Sequence, residues 1–135
     1  MKWKCLGLLW SLVGLLCMAG CDGGGGPTGP SNAPVLSNVR ANPSQVNQGT
    51  GVTIVFSIDF VDFPGDLNGG TAVINDSQGT HYESVVSDAV GTAGTLITSI
   101  QLSQWVQPGE VLLTIYVWDL AGNQSNPGYV TITVI

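Results

Sequence analysis

The stretch Val52–Phe60 places Val52, Ile54, Phe56, Ile58 and Phe60 at every second position, with Thr53, Val55, Ser57 and Asp59 between them. A period of two marks a strand that buries one face, and it is incompatible with an amphipathic helix over the same residues. The pattern recurs. Val111, Leu113, Ile115 and Val117 alternate with Leu112, Thr114, Tyr116 and Trp118, and Val130, Ile132 and Val134 alternate with Tyr129, Thr131 and Thr133. Shorter strands are predicted over 35–41, 71–75, 81–86 and 96–102, separated by clusters such as Asn42-Pro43-Ser44, Gly49-Thr50-Gly51, Asp76 to Gly79 and Pro108-Gly109, whose residue types favour turns. No apolar stripe of helical period is long enough to compete with this reading, so residues 33–135 are expected to be all-β, with about seven antiparallel strands.

The start of the chain is different. Lys2 and Lys4 precede an apolar run from Cys5 to Gly20, which closes on the small residues Ala19 and Gly20; Cys21 follows, and then Asp22 and four glycines. A charged start, an apolar centre and a small-residue cleavage site form the layout of an export signal, and the run is shorter than the roughly 20 residues of a membrane-spanning helix. Met18-Ala19-Gly20-Cys21 resembles the lipobox of bacterial lipoproteins, with Met18 where that family most often has Leu. The resemblance implies cleavage before Cys21, a diacylglycerol on its thiol and an acylated amino terminus. The folded part would then lie outside the cytoplasm, held in the bacterial cell envelope with the membrane as partner. Cys17 does not compete as acceptor, because Leu15 and Leu16 precede it where small residues are needed. Asp22 resembles the signal that retains lipoproteins in the inner membrane of enteric bacteria.

The chain therefore divides into a signal peptide over residues 1–20, a lipidated Cys21 with a flexible linker over 21–32, and one folded domain over 33–135. Residues 22–32 are rich in Gly, Pro, Ser, Thr and Asn. As a flexible coil they span about 18–20 Å on average. Cys5 and Cys17 fall within the signal, so a disulfide framework is excluded from the folded part. Beyond residue 20 Arg40 is the one cationic side chain, against nine acids. Such a surface argues against nucleic acid and anionic lipid head groups as partners, both of which require basic patches, and it favours solubility or divalent cations.

Seven short strands over roughly 100 residues suit an immunoglobulin-like β-sandwich, with an up-and-down barrel as the alternative. The segment Gly109–Ser125, with its Pro-Gly turn, alternating strand and Asp119-Leu120-Ala121-Gly122-Asn123 loop, resembles the last hairpin of bacterial immunoglobulin-like and cadherin-like modules. The resemblance extends over nearly all of residues 34–135 and implies a sandwich fold without specifying a role. Within that loop Gly122 and Asn123 suit a positive-φ turn, and Ser125 and Asn126 can satisfy loop backbone groups.

Two groups of residues are candidates for chemistry. Asp59, Asp62, Asp66 and Asn68 are assigned to the loop after the long strand, and Asp119 and Asn123 to the last hairpin loop; in a sandwich both loops fall at one end. Their oxygens match calcium, which takes six to eight such ligands. Asp62–Leu67 resembles the Asp-x-Asp-Gly-Asp-Leu loops of bacterial cadherin-like domains, with Phe63-Pro64 in place of the central acid. The same residue types also serve turns without any ion. The second group is aromatic: Tyr116 and Trp118, beside Tyr129 and Thr131 of the next strand, would form a flat platform for a sugar or a peptide, or simply stabilise the sheet.

Catalysis is not expected. His81 is the one histidine, Gly-x-Ser-x-Gly is absent, and Glu83 and Glu110 lie in different strands. The expected role is an envelope-anchored, non-catalytic binding or structural module, with calcium as a candidate stabilising ion and a protein or glycan as candidate partner. The alternatives are a carbohydrate- or peptide-binding module using the aromatic face, and a small envelope hydrolase that would need convergent acids without metal.

Overall fold

The computed structural model describes residues 32–135. The expected signal, the expected lipidation site Cys21 and nearly all of the expected linker lie outside the described residues. Eight strands follow in order: β1 (Val35–Asn42), β2 (Gln45–Val46), β3 (Thr53–Val61), β4 (Thr71–Asp76), β5 (His81–Val85), β6 (Ala93–Gln101), β7 (Gly109–Trp118) and β8 (Gly128–Val134). They form a three-stranded sheet, β1-β3-β6, and a five-stranded sheet, β2-β8-β7-β4-β5. No helix occurs among the described residues. Consecutive strands β3 and β4, and again β5 and β6, lie in different sheets. This two-sheet arrangement is an immunoglobulin-like β-sandwich rather than an up-and-down barrel.

The period of two sets which side chains face inward. In β3, Ile54, Phe56, Ile58 and Phe60 are buried; in β7, Val111, Leu113, Ile115 and Val117 are buried; Leu36, Ala72, Ile74, Leu96, Ile100, Ile132 and Val134 complete the layer between the sheets. At about 25 cal/mol per Å² of apolar surface removed from water, this layer is the main term holding the sheets together.

The structure adds a strand that the sequence pattern does not announce. Past the cis Asn42-Pro43 bond the chain crosses to the other sheet, where Gln45 and Val46 pair in parallel with Thr133 and Val134 of β8. The expected all-antiparallel set is thus eight strands with one parallel pair. In β1 the pairing with β3 shifts between Ser37 and Arg40, and Asn38 there has φ of 48°.

Strand directions sort the loops. The start of β1 and the β3–β4, β5–β6 and β7–β8 loops share one end of the sandwich, since Val35 pairs with Val61, Val61 with Ala93, and Thr71 with both Val85 and Trp118. The opposite end carries the β2–β3 and β6–β7 loops and the tight β4–β5 turn.

Candidate functional site

Asp62 follows Val61 and continues the inward parity of β3 by one step beyond Phe60; Asp119 does the same for β7 beyond Val117. Both are buried, at 0% and 5% exposure. Because β3 and β7 belong to facing sheets, the two acids cap the same end of the apolar core. Asp66 joins them through the β3–β4 loop, whose path is fixed by several backbone bonds. Gly65 N donates to Asp62 O at 3.0 Å, Gly69 N to Val86 O at 2.9 Å and Gly70 N to Leu67 O at 2.9 Å, with Leu67 buried beneath. Gly70 has no room for a side chain, since a Cβ there would collide with the Trp118 carbonyl oxygen.

Oxygens from the carboxylates of Asp62, Asp66 and Asp119 lie within 4.8 Å of one another. Asp62 Oδ2 accepts the Asp66 backbone N–H at 3.0 Å. Asp119 is held from the other side, where Asn123 donates its backbone N–H to Oδ1 at 2.8 Å and its Nδ2 to Oδ2 at 2.9 Å. The Leu120 N–H donates to Asp66 O at 3.1 Å and ties the two loops together. Two oxygens, Asp62 Oδ1 and Asp66 Oδ1, are buried with no hydrogen-bond partner among the described residues. Burial pushes the Asp62 carboxyl above the usual carboxylate range, and the neighbouring Asp66 and Asp119 charges push it further, against the lowering effect of the Asp66 N–H.

These features fit a hard divalent cation. The donors are all carboxylate oxygens, the ligand type calcium and magnesium take, and two oxygens each about 2.4 Å from one ion can be up to about 4.8 Å apart. A cation would partner the two orphaned oxygens, whose burial without one is unfavourable.

The other expected ligands are placed differently. Asp59 has the opposite parity and lies on the outer face of the three-stranded sheet. It accepts from Arg40 Nη2, Asn38 Nδ2 and Thr95 Oγ1, each at 2.9 Å. The hydrogen bond from Arg40, then those from Asn38 and Thr95, lower its carboxyl to about 2. The β1 irregularity at Asn38 lets two residues of one strand reach this carboxylate. Asp59 is therefore a structural hub and not part of the acidic cluster. Asn68 is exposed, beyond the buried Leu67. Asn123 orients Asp119 through its Nδ2 donor.

On the outer face of the five-stranded sheet, the Tyr116 and Trp118 ring centroids are 6.3 Å apart with planes tilted by 50°. Their strand partners are Val73 and Thr71 of β4. Tyr129 stands opposite Thr114, and Thr131 opposite Leu112, so the expected side-by-side placement with Tyr116 and Trp118 is offset along β8. His81, on the same face, meets Asn75 Oδ1 at 2.8 Å and Glu83 Oε1 at 3.4 Å, and both ends of the latter pair are more than half exposed.

No family model matches the chain, and no curated protein matches it. The solved structures similar to it include the following three. A PKD domain of an M14-like peptidase from a Thermoplasmatales archaeon is 22% identical, covers 80% of this chain and 98% of its own, and gives a TM-score of 0.48. The CARDB domain of a Pyrococcus furiosus protein, solved in complex with di-metal ions, is 11% identical over 78% of this chain and 97% of its own, with a TM-score of 0.43. AggA, the major subunit of Escherichia coli aggregative adherence fimbriae type I, is 13% identical over 81% of this chain and all of its own, at 0.40. Identities and scores this low carry no functional weight.

Proposed function

We propose that the chain is a non-catalytic lipoprotein of the bacterial cell envelope, lipidated at Cys21, which presents one immunoglobulin-like module steadied by a divalent cation, calcium by preference. The observation that carries the cation reading is the buried triad Asp62, Asp66 and Asp119 with two orphaned carboxylate oxygens. In this reading the three carboxylates bind the ion, and Asn123 and the Asp66 N–H hold two of them in place. The ion would neutralise like charges that otherwise repel at the end of the core. The anchor reading rests on the residues around Cys21 alone.

The cation reading is tested by the melting temperature of residues 31–135, which form a compact unit with their own core, in millimolar calcium and in chelator. An ion that binds only the folded state adds about 2.7 kcal/mol at a hundred times its dissociation constant. Unchanged melting would remove the cation from the reading. Incorporation of labelled fatty acid into the chain, lost with Cys21→Ser, tests the anchor. A glycan- or peptide-binding role is favoured by the tilted Tyr116–Trp118 pair, with exposed Tyr129 offset along β8 on the same face, and loss of binding to a glycan or peptide panel in Trp118→Ala would support it.

A further inference from the structure

The loops around the acidic cluster carry large apolar side chains in water. Phe63 in the β3–β4 loop is 59% exposed, Val90 in the β5–β6 loop 75% and Leu120 in the β7–β8 loop 67%. The three loops are joined to one another: Asp62 N donates to Thr92 O at 2.8 Å, and Leu120 N to Asp66 O at 3.1 Å. Each loop thus supports an exposed apolar residue on a backbone fixed by its neighbours. Val35 and Val61, which pair at the same end, are 52% and 41% exposed.

That end is also where the folded chain begins. β1 starts at Val35, directly opposite Val61 and one residue short of Asp62 in register. Only residues 22–34 separate Cys21 from this strand. If Cys21 is anchored, the sandwich is held by its acidic end, within a few tens of ångströms of the bilayer.

We infer that this end of the sandwich docks on the membrane that holds Cys21: Phe63, Val90 and Leu120 enter the headgroup region, and a cation on Asp62, Asp66 and Asp119 completes its coordination with lipid phosphate oxygens. The inference rests on the lipoprotein and cation readings above. With one oxygen from each of the three carboxylates, a calcium ion is short of the six to eight oxygens it takes, so ligand positions remain for an outside anion. The cation also resolves a conflict of charge. Beyond residue 20 Arg40 stands alone against nine acids, so that part of the chain is repelled by an anionic surface unless a divalent ion bridges the two. Weak docking suffices, because a short flexible linker gives an effective concentration on the order of millimolar.

The test uses residues 21–135 coupled through Cys21 to maleimide-bearing lipid in vesicles of phosphatidylethanolamine and phosphatidylglycerol with brominated acyl chains, which quench an indole that reaches them. Trp118→Phe leaves Trp105, at the opposite end and 77% exposed, as the internal control. Adding Phe63→Trp places a second indole at the acidic end, where the native side chain is exposed and the fold tolerates replacement. The expected result is that calcium causes a loss of emission from the added indole, that chelator restores it, and that Trp105 emission is unchanged throughout. Leu120→Ser in the same chain reduces the quenching. Absence of calcium-dependent quenching, while calcium still raises the melting temperature of residues 31–135, overturns the docking and leaves the cation reading intact. Equal quenching in chelator overturns the bridging ion. Calcium without effect on melting overturns both.

Discussion

Asp62 and Asp119 occupy equivalent positions in the two facing sheets: each lies one inward step beyond the last buried apolar residue of its strand, Phe60 in β3 and Val117 in β7. Two carboxylates therefore close the apolar core where a further pair of valines would have fitted the pattern. Asp66 adds a third across the β3–β4 loop.

Asp62→Asn separates the electrostatic cost of this arrangement from its use. In chelator the amide keeps an oxygen for the Asp66 N–H and gains a donor toward neighbouring carboxylates, so stability rises by on the order of 1 kcal/mol. The calcium-induced rise in melting temperature is lost in the same variant. Thermal denaturation of both proteins, with and without calcium, checks the pair of effects.

Asp59 predicts an acid limb that is independent of the cation. Its folded-state pKa of about 2 lies below the ordinary 3.8. A depressed pKa stabilises the fold above the ordinary value, and that contribution is lost as pH falls from 3.8 through 2. In Asp59→Asn the pH dependence of urea unfolding flattens within this window.

Asn126 clips the start of β1 to the β7–β8 loop. Its Oδ1 accepts the Leu36 N–H at 2.7 Å and its Nδ2 donates to Leu36 O at 3.1 Å. Asn126→Ala leaves both groups of a buried residue unpaired at a cost of about 1–3 kcal/mol. Faster amide exchange at Leu36, with Ile54 and Phe56 amides less affected, is the expected signature.

Gly70→Ala forces a methyl against the Trp118 carbonyl and Leu67 O. Neither neighbour is a mobile side-chain tip, so the loop must move, at about 1–3 kcal/mol. Calcium affinity falls with it, since Gly70 N donates to Leu67 O within the loop that carries Asp66; titration calorimetry reads the change.

The strands were legible because half-buried sheets write themselves as alternation: Val52–Phe60, Val111–Trp118 and Tyr129–Val134 all appear with the expected parity. β2 was not, because two residues hold no period and its pairing with Thr133 and Val134 is a long-range choice. The meeting of Asp62, Asp66 and Asp119 followed from loop placement. Excluding Asp59 needed only the parity of β3, because Asp59 stands between the inward-facing Ile58 and Phe60 and so falls on the outer face. The offset of Tyr129 was beyond reach, since register across β7 and β8 depends on how the Asp119–Pro127 loop folds.

The position of Val35 has a mechanical consequence. A pull on the chain ahead of β1, resisted at the opposite end of the sandwich, runs along the strand. Antiparallel hydrogen bonds stand perpendicular to their strands, so the bonds from Val35 to Asn42 are loaded together in shear instead of opening one after another. A domain held in this way resists tension on its leash far better than one whose first strand is peeled from its edge.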